Sequence, residues 1–224
     1  MDYNPIPFDH TYILYDPDDI LSVASVHFSL LPIYIMVFYT AWFLITREIE
    51  PVIVVGGHLI NEGINKVVKC LVRQPRPEFH KDFGIGTYGL SYGMPSAHSQ
   101  FMGFFATYFV CIVLFRVPIK NMGKLIAVVM LYISCLCVAS SRVYLLYHTA
   151  AQVAVGVTVG AVFGLVFFII SALARDVGIV DCVISWPLVK DFYIKDSYYH
   201  CYETFESEFL SYKARIEKKR NVKT

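Results

Sequence analysis

The sequence predicts an all-α fold, a polytopic membrane bundle of about five transmembrane helices with a C-terminal tail lying on the membrane surface. Three observations carry this. The 224-residue chain is 56% hydrophobic and 17% charged, against about 45–50% and about 25% in ordinary soluble domains. Its apolar residues fall into long runs, and about 20 such residues are what a helix needs to cross a bilayer. Beyond the last of those runs, from Arg175 on, charged and aromatic residues replace them.

Each element follows from its composition. Val23–Ile45 holds no Asp, Glu, Lys or Arg and is the first span. Pro51–Val72 is the second, although its later half carries Asn61, Glu62, Asn65, Lys66 and Lys69. Pro95–Phe115 is the third and Leu125–Ser141 the fourth. The uncharged run Val143–Ala174 contains the fifth, starting near His148. From Arg175 to Thr224 the chain has nine basic and eight acidic residues and many aromatics, the composition of a surface segment. Three regions result: residues 1–22 as a non-cytoplasmic N-terminal segment, 23–174 as the membrane domain that carries the chemistry, and 175–224 as a cytoplasmic tail. The acidic N-terminus lacks a positive n-region, so no cleavable signal peptide is expected.

Charge and cysteine usage narrow the function. A net charge of +1 lacks the basic surplus of a nucleic-acid binder, so no nucleic acid is expected as a partner. The six cysteines lie mostly inside apolar runs and read as small core residues, with neither a disulfide framework nor a metal-ligand spacing. Basic residues favour the cytoplasmic side. No Lys or Arg precedes Arg47, whereas Arg116, Lys120 and Lys124 lie between the third and fourth spans and the tail is basic at its end. The N-terminus then lies outside. The end of the second span, the start of the third and the turn between the fourth and fifth share the non-cytoplasmic face.

Those three places hold three polar clusters. In "KCLVRQPRP", Lys69 and Arg76 lie seven residues apart, and Pro75 and Pro77 are expected to end the helix near them. In "YGMPSAHSQFM", Ser96 can cap the third span. The N–H groups after it, beginning with Ala97, can bind an anion, with His98 in the first turn. In "SRVYLLYHTAAQV", Arg142 and His148 bracket a turn, and Gln152 shares a helix face with His148. Snorkelling, capping and plain packing account for single clusters, but an arginine and a histidine at membrane depth are expensive and make function the default reading. Together the clusters supply cation clamps and a helix N-terminus for phosphate oxygens. One imidazole can attack phosphorus and another protonate the departing oxygen. Lys and Arg clamps stabilise a transferring phosphoryl group electrostatically, so no cofactor and no metal are expected.

This arrangement resembles the type 2 phosphatidic acid phosphatase superfamily, whose pattern is Lys-x6-Arg-Pro, Pro-Ser-Gly-His and Ser-Arg-x5-His-x3-Asp. Here it reads Lys69…Arg76-Pro77, Pro95-Ser96-Ala97-His98 and Ser141-Arg142…His148…Gln152. The resemblance implies His148 as the nucleophile and His98 as general acid. Lys69, Arg76, Ser96, the Ala97 amide and Arg142 would hold the phosphate. Ala97 stands where the pattern has glycine, and Gln152 where it has the aspartate that orients the nucleophile. A neutral amide still accepts a hydrogen bond from the imidazole but stabilises an imidazolium less.

The stretches "NEGINKVVK", "YGMPSAHSQFM", "SRVYLLYHTAAQV" and "SWPLVKDFYIKDS" are similar to the dolichyldiphosphatase branch of eukaryotic endoplasmic reticulum, where glutamine is usual at that last position. That resemblance implies a polyisoprenoid diphosphate lipid as substrate, membrane lipids as surroundings, and hydrolysis of dolichyl diphosphate on the lumenal face, recycling the carrier of N-glycosylation. A phosphatase of another lipid phosphate, or a transporter, is the alternative. Glu62 either pairs with Lys66 or positions Lys69, and Arg73 either adds a diphosphate contact or anchors to headgroups. His10, His27, His58, His80 and His200 fit no cluster.

Overall fold

The computed structural model describes residues 6–8, 13–78 and 92–221. Among them, five long helices carry the fold: α1 (Ile20–Thr46), α2 (Glu50–Val72), α3 (Ala97–Phe115), α4 (Asn121–Tyr144) and α5 (Ala150–Asp176). A short antiparallel hairpin, β1 (Ile6–Phe8) with β2 (Ile13–Tyr15), precedes them in the register Ile6↔Tyr15, Pro7↔Leu14, Phe8↔Ile13. The tail forms α6 (Ile179–Ile184), α7 (Pro187–Lys190), α8 (Ser197–His200) and α9 (Phe205–Asn221). The hairpin has no counterpart in the sequence reading.

Helix ends follow local chemistry. The Asp19 side chain accepts from the Leu21 N–H at 3.0 Å and opens α1. α2 stops at Val72, three residues before Pro75, with Arg73 in the left-handed conformation. Thr149 and Gln152 form a capping box that sets the start of α5 at Ala150, just after His148. The helix runs on to Asp176, past the expected boundary at 174.

Four helices, α1, α3, α4 and α5, are long and apolar enough to span a membrane. α2 is the departure from the expected five. Its 23 residues reach about 34 Å at 1.5 Å per residue, but it is built inside out. Glu50, His58, Asn61 and Asn65 are buried, whereas Val52, Leu59, Ile60, Val67 and Leu71 are exposed. Apolar side chains outward and paired polar side chains inward suit a helix between lipid and a polar interior.

α3 is the central helix and packs against each of the other four. Its closest partner is α5, because Gly156, Gly160 and Gly164 on α5 and Gly103 on α3 let the two backbones touch. A Cβ at Gly160 would lie 2.1 Å from the Gln100 carbonyl oxygen, and one at Gly103 2.4 Å from that of Val157. In lipid, where apolar contact between helices gains nothing over contact with acyl chains, such small-residue seams carry association. Phe104, Tyr108, Met102 and Val54 fill the rest of the core with Tyr39. At the start of α3, Asn61, Asn65 and Gln100 form a buried polar clasp. The Gln100 Nε2 donates to the Asn61 carbonyl and Oδ1, both at 2.9 Å, and the Asn65 Nδ2 donates to the Gln100 Oε1 at 2.8 Å. This pins α2 to α3 just below the second cluster.

The opposite end is closed by ion pairs. Buried Arg175 meets Glu50 at 2.5 Å and Asp196 at 2.7 Å, Arg116 reaches Glu50 at 3.4 Å, and the Tyr108 hydroxyl donates to Glu50 at 2.6 Å. Lys195 of the tail pairs by its backbone with the α1–α2 turn, through Ile49 N–H to Lys195 O at 2.9 Å and Lys195 N–H to Arg47 O at 3.0 Å. The tail is thereby fastened to the bundle before α9 begins.

Candidate active site

The end of α2, the start of α3, the end of α4 and the start of α5 meet at one end of the bundle. His148, in the α4–α5 turn, is buried. Its Nδ1 lies 3.1 Å from the Gln152 Oε1. Two neighbours settle which way the amide points. The Gln152 Nε2 donates to the Pro75 carbonyl at 2.8 Å and to the Gln74 Oε1 at 3.4 Å, while its Oε1 also accepts from the Thr149 N–H at 3.3 Å. With the amide oxygen toward the imidazole, the proton sits on Nδ1 and the Nε2 lone pair is free.

Among the described residues, Arg142, Arg76 and Lys69 act on His148 by their charge. Burial, reinforced by Arg142 and Arg76, pushes its pKa down to about 3, and the bond to Gln152 opposes this only in part. The imidazole is therefore neutral at physiological pH. Arg142 is buried at the end of α4, bonded to the Ser29 hydroxyl of α1 and stacked 4.0 Å over the Tyr147 ring. The Tyr147 hydroxyl accepts from the Leu14 N–H at 2.9 Å, so the β2 strand braces the ring that carries the guanidinium. Tyr147 and His148 both donate their N–H groups to the Arg142 carbonyl at 3.1 Å, which ties the clamp and the histidine into one turn.

His98, second residue of α3, lies within electrostatic reach of Arg142, His148, Arg76 and Lys69. Lys69, half-buried in the last turn of α2, interacts in turn with Arg76, Glu62 and Lys66. The fold thus gathers Lys69, Arg76, His98, Arg142 and His148, drawn from four helix ends, around one locality.

Ser96 corrects an expectation. It occupies the cap position of α3, but its hydroxyl caps nothing. That oxygen accepts instead from the Ser99 hydroxyl at 3.0 Å. The competing side chain one turn on leaves the first-turn N–H groups, Ala97 included, without a side-chain cap, which suits an anion. The Ser96 N–H is spent on the Gln152 main-chain carbonyl at 3.1 Å.

The secondary candidates lie outside the cluster. Glu62 pairs with Lys66 at 3.9 Å on an exposed face, although its charge also reaches Lys69. Arg73 is exposed and folds its Nε back onto the Cys70 carbonyl at 3.0 Å. Among the described histidines outside the motifs, His58 stacks on Phe101 at 3.8 Å within the core, and His200 pairs with Asp181 at 2.8 Å. His10 and His80 lie outside the described residues. Sequence reasoning missed the parts played at the site by Ser29, Tyr147, Gln74 and Gly93, and it read Pro75 as a helix breaker without the contact of its carbonyl with Gln152. Among the described residues, no group of three or more His, Cys, Asp or Glu side chains is placed to hold a metal ion.

Residues 50–176 match the PAP2 superfamily. The chain belongs to that superfamily. It is 44% identical over 220 residues to the dolichyldiphosphatase of Saccharomyces cerevisiae, covering 96% of this chain and 91% of the relative. Dolichyldiphosphatase 1 of Homo sapiens is 30% identical over 198 residues, covering 85% and 82%. These relatives place it in the dolichyldiphosphatase branch. A solved structure, the transmembrane PAP2-type phosphatidylglycerolphosphate phosphatase of Bacillus subtilis, shares the fold with a TM-score of 0.54 at 19% identity, over 69% of this chain and 76% of that one.

Proposed function

We propose that this PAP2 member hydrolyses dolichyl diphosphate to dolichyl phosphate and phosphate. The observation that carries the reading is the His148–Gln152 pair set among Arg142, Arg76 and Lys69, a neutral imidazole with its lone pair on Nε2 beside cations for phosphate oxygens. The dolichyldiphosphatases at 30–44% identity supply the substrate class.

His148 Nε2 attacks the terminal phosphorus. A P–N bond forms as the bond to the bridging oxygen breaks, and His98 gives its proton to the dolichyl phosphate leaving group. Lys69, Arg76, Arg142 and the first-turn N–H groups at Ala97, beside Ser96, stabilise the oxygens of the transferring group. Neutral His98 then takes a proton from water, whose oxygen attacks the same phosphorus. The P–N bond breaks, phosphate leaves and both histidines return to their starting states.

The positive-inside pattern puts the tail in the cytosol, and the site lies at the other end of the bundle from the Arg175–Asp196 tail contact. The site then faces the lumen of the endoplasmic reticulum, with residues 1–22 on the same side and 175–224 on the cytosolic surface. The substrate test is phosphate release by the purified protein from dolichyl diphosphate, phosphatidate and a sphingoid phosphate, run in excess chelator. Preference for the diphosphate is expected, and equal rates on phosphatidate would defeat the assignment.

A further inference from the structure

A carboxamide has two N–H donors and one oxygen that accepts twice. In Gln152 all of these are engaged, and each partner is of the right kind: Pro75 O and Gln74 Oε1 on the nitrogen, His148 Nδ1 and Thr149 N–H on the oxygen. Flipping the amide would set oxygen against the Pro75 carbonyl oxygen at 2.8 Å.

Gly93 closes this arrangement from the other side. Its N–H donates to the Gln74 carbonyl at 2.7 Å. A Cβ built on it would meet the Gln152 Nε2, Oε1 and Cδ at 2.6, 2.7 and 2.8 Å. Gly178 is the described glycine that needs a positive φ, and Gly93 does not. Its backbone would therefore accept alanine, and what excludes a methyl there is the Gln152 amide. Residues 74–75, 93–96 and 148–152 all converge on this one residue, because the Gln152 main-chain carbonyl also takes the Ser96 N–H.

We infer that Gln74, the Pro75 carbonyl and Gly93 are positioning elements that act through Gln152, holding the His148 proton on Nδ1 and keeping Arg76, the residue after Pro75, in register with the nucleophile. The inference rests on His148 being the nucleophile. It accounts for an amide at 152 in place of the superfamily's aspartate. A carboxylate there would face the Pro75 carbonyl oxygen, whereas an amide donates to it and still accepts from the imidazole.

The test is a double-mutant cycle of Gly93→Ala and Gln152→Ala on the purified full chain. Two readouts are used: steady-state kinetics on dolichyl diphosphate, and the tautomer of His148 from 15N-histidine NMR, its signals assigned by their loss in His148→Ala. Gly93→Ala alone should lower kcat on the order of 10- to 100-fold, as a misplaced reacting group does, with KM within about twofold, and should mix the His148 tautomers. In the Gln152→Ala background the same substitution should change kcat less than about twofold, since the group it displaces is gone. Multiplicative effects in the two backgrounds, or an unmoved tautomer, would overturn the inference.

A second variant holds if Gly93→Ala folds poorly. Gln152→Glu keeps the size but sets a carboxylate on Nδ1, favouring the imidazolium against the charges of Arg142, Arg76 and Lys69 and the neighbouring His98. The acidic limb of kcat should then move to higher pH, and a limb left in place would count against positioning through 152. A wild type that releases no phosphate while its His148 tautomer still answers to Gly93→Ala would remove the proposed function and leave the positioning through Gln152 standing.

Discussion

The two ends of the bundle use the same chemical groups to opposite effect. At the tail end, Arg175 and Arg116 meet Glu50 and Asp196, with Tyr108 donating to the same carboxylate. Charge there is matched by charge, and the result is a lock between α2, α3, α5 and the tail. At the site end, Arg142 bonds to a hydroxyl and stacks on an aromatic face, and among the described residues Arg142, Arg76 and Lys69 act together on His148. Three cations directed at one imidazole make a place where an arriving phosphate is favoured. The difference separates a structural ion cluster from a binding one in a chain whose net charge, +1, distinguishes nothing.

The comparison breaks most visibly at Arg142. Arg142→Ala should lower kcat/KM on the order of 10²-fold or more, as loss of a preorganised charge donor does, measured on protein matched for folded content. If the loss lies in folded yield alone, Arg142 belongs with the structural arginines. Arg175→Met should do the reverse. Leaving Glu50 and Asp196 buried without their partner costs about 3–5 kcal/mol, read by thermal unfolding in detergent, while kcat of the folded fraction stays within about twofold. A selective loss of turnover would make the tail-end cluster part of the site.

The seam joining the two ends should respond in both readouts. Gly160→Ala sets a methyl 2.1 Å from the Gln100 carbonyl oxygen, an overpacking that costs about 1–3 kcal/mol. It also shifts α3, and with it His98, against α5. Both stability and kcat should fall, and unchanged kcat would show that the α3–α5 spacing does not set the site. The last effect is in pH. Because the pKa of His148 is pushed down to about 3, the unfolded chain takes up this proton below about 6.5 and the native state does not. The unfolded state then binds more protons, so stability falls as pH drops from about 6.5 toward 3. His148→Gln should flatten that slope, and an unaltered slope would mean the imidazole is not held neutral.

Much of the site was legible in the sequence because chemistry at a membrane boundary is confined to a few residue types. Lys69, Arg76, His98, Arg142 and His148 stand out where apolar runs end, and the topology rule put them on one face before any coordinates. What stayed hidden depends on which neighbour arrives in space. Glu50 and Arg175 are 125 residues apart, and nothing local foretells their bond. Ser96 looked like a cap, but a hydroxyl with two suitors went to Ser99. The polar residues of α2 were noted within an expected span, but nothing local showed that Asn61, Asn65, His58 and Glu50 turn inward. The glycines of α5 and Gly93 carry no side chain to signal that a backbone or an amide lies against them.

The central claim is that His148 bears the phosphoryl group. Its most direct measurement is phosphate release from dolichyl diphosphate by purified wild type and His148→Ala, with membrane insertion of both confirmed. Turnover by the wild type and none by a variant that still inserts is the predicted result. Undiminished release by His148→Ala would contradict the account.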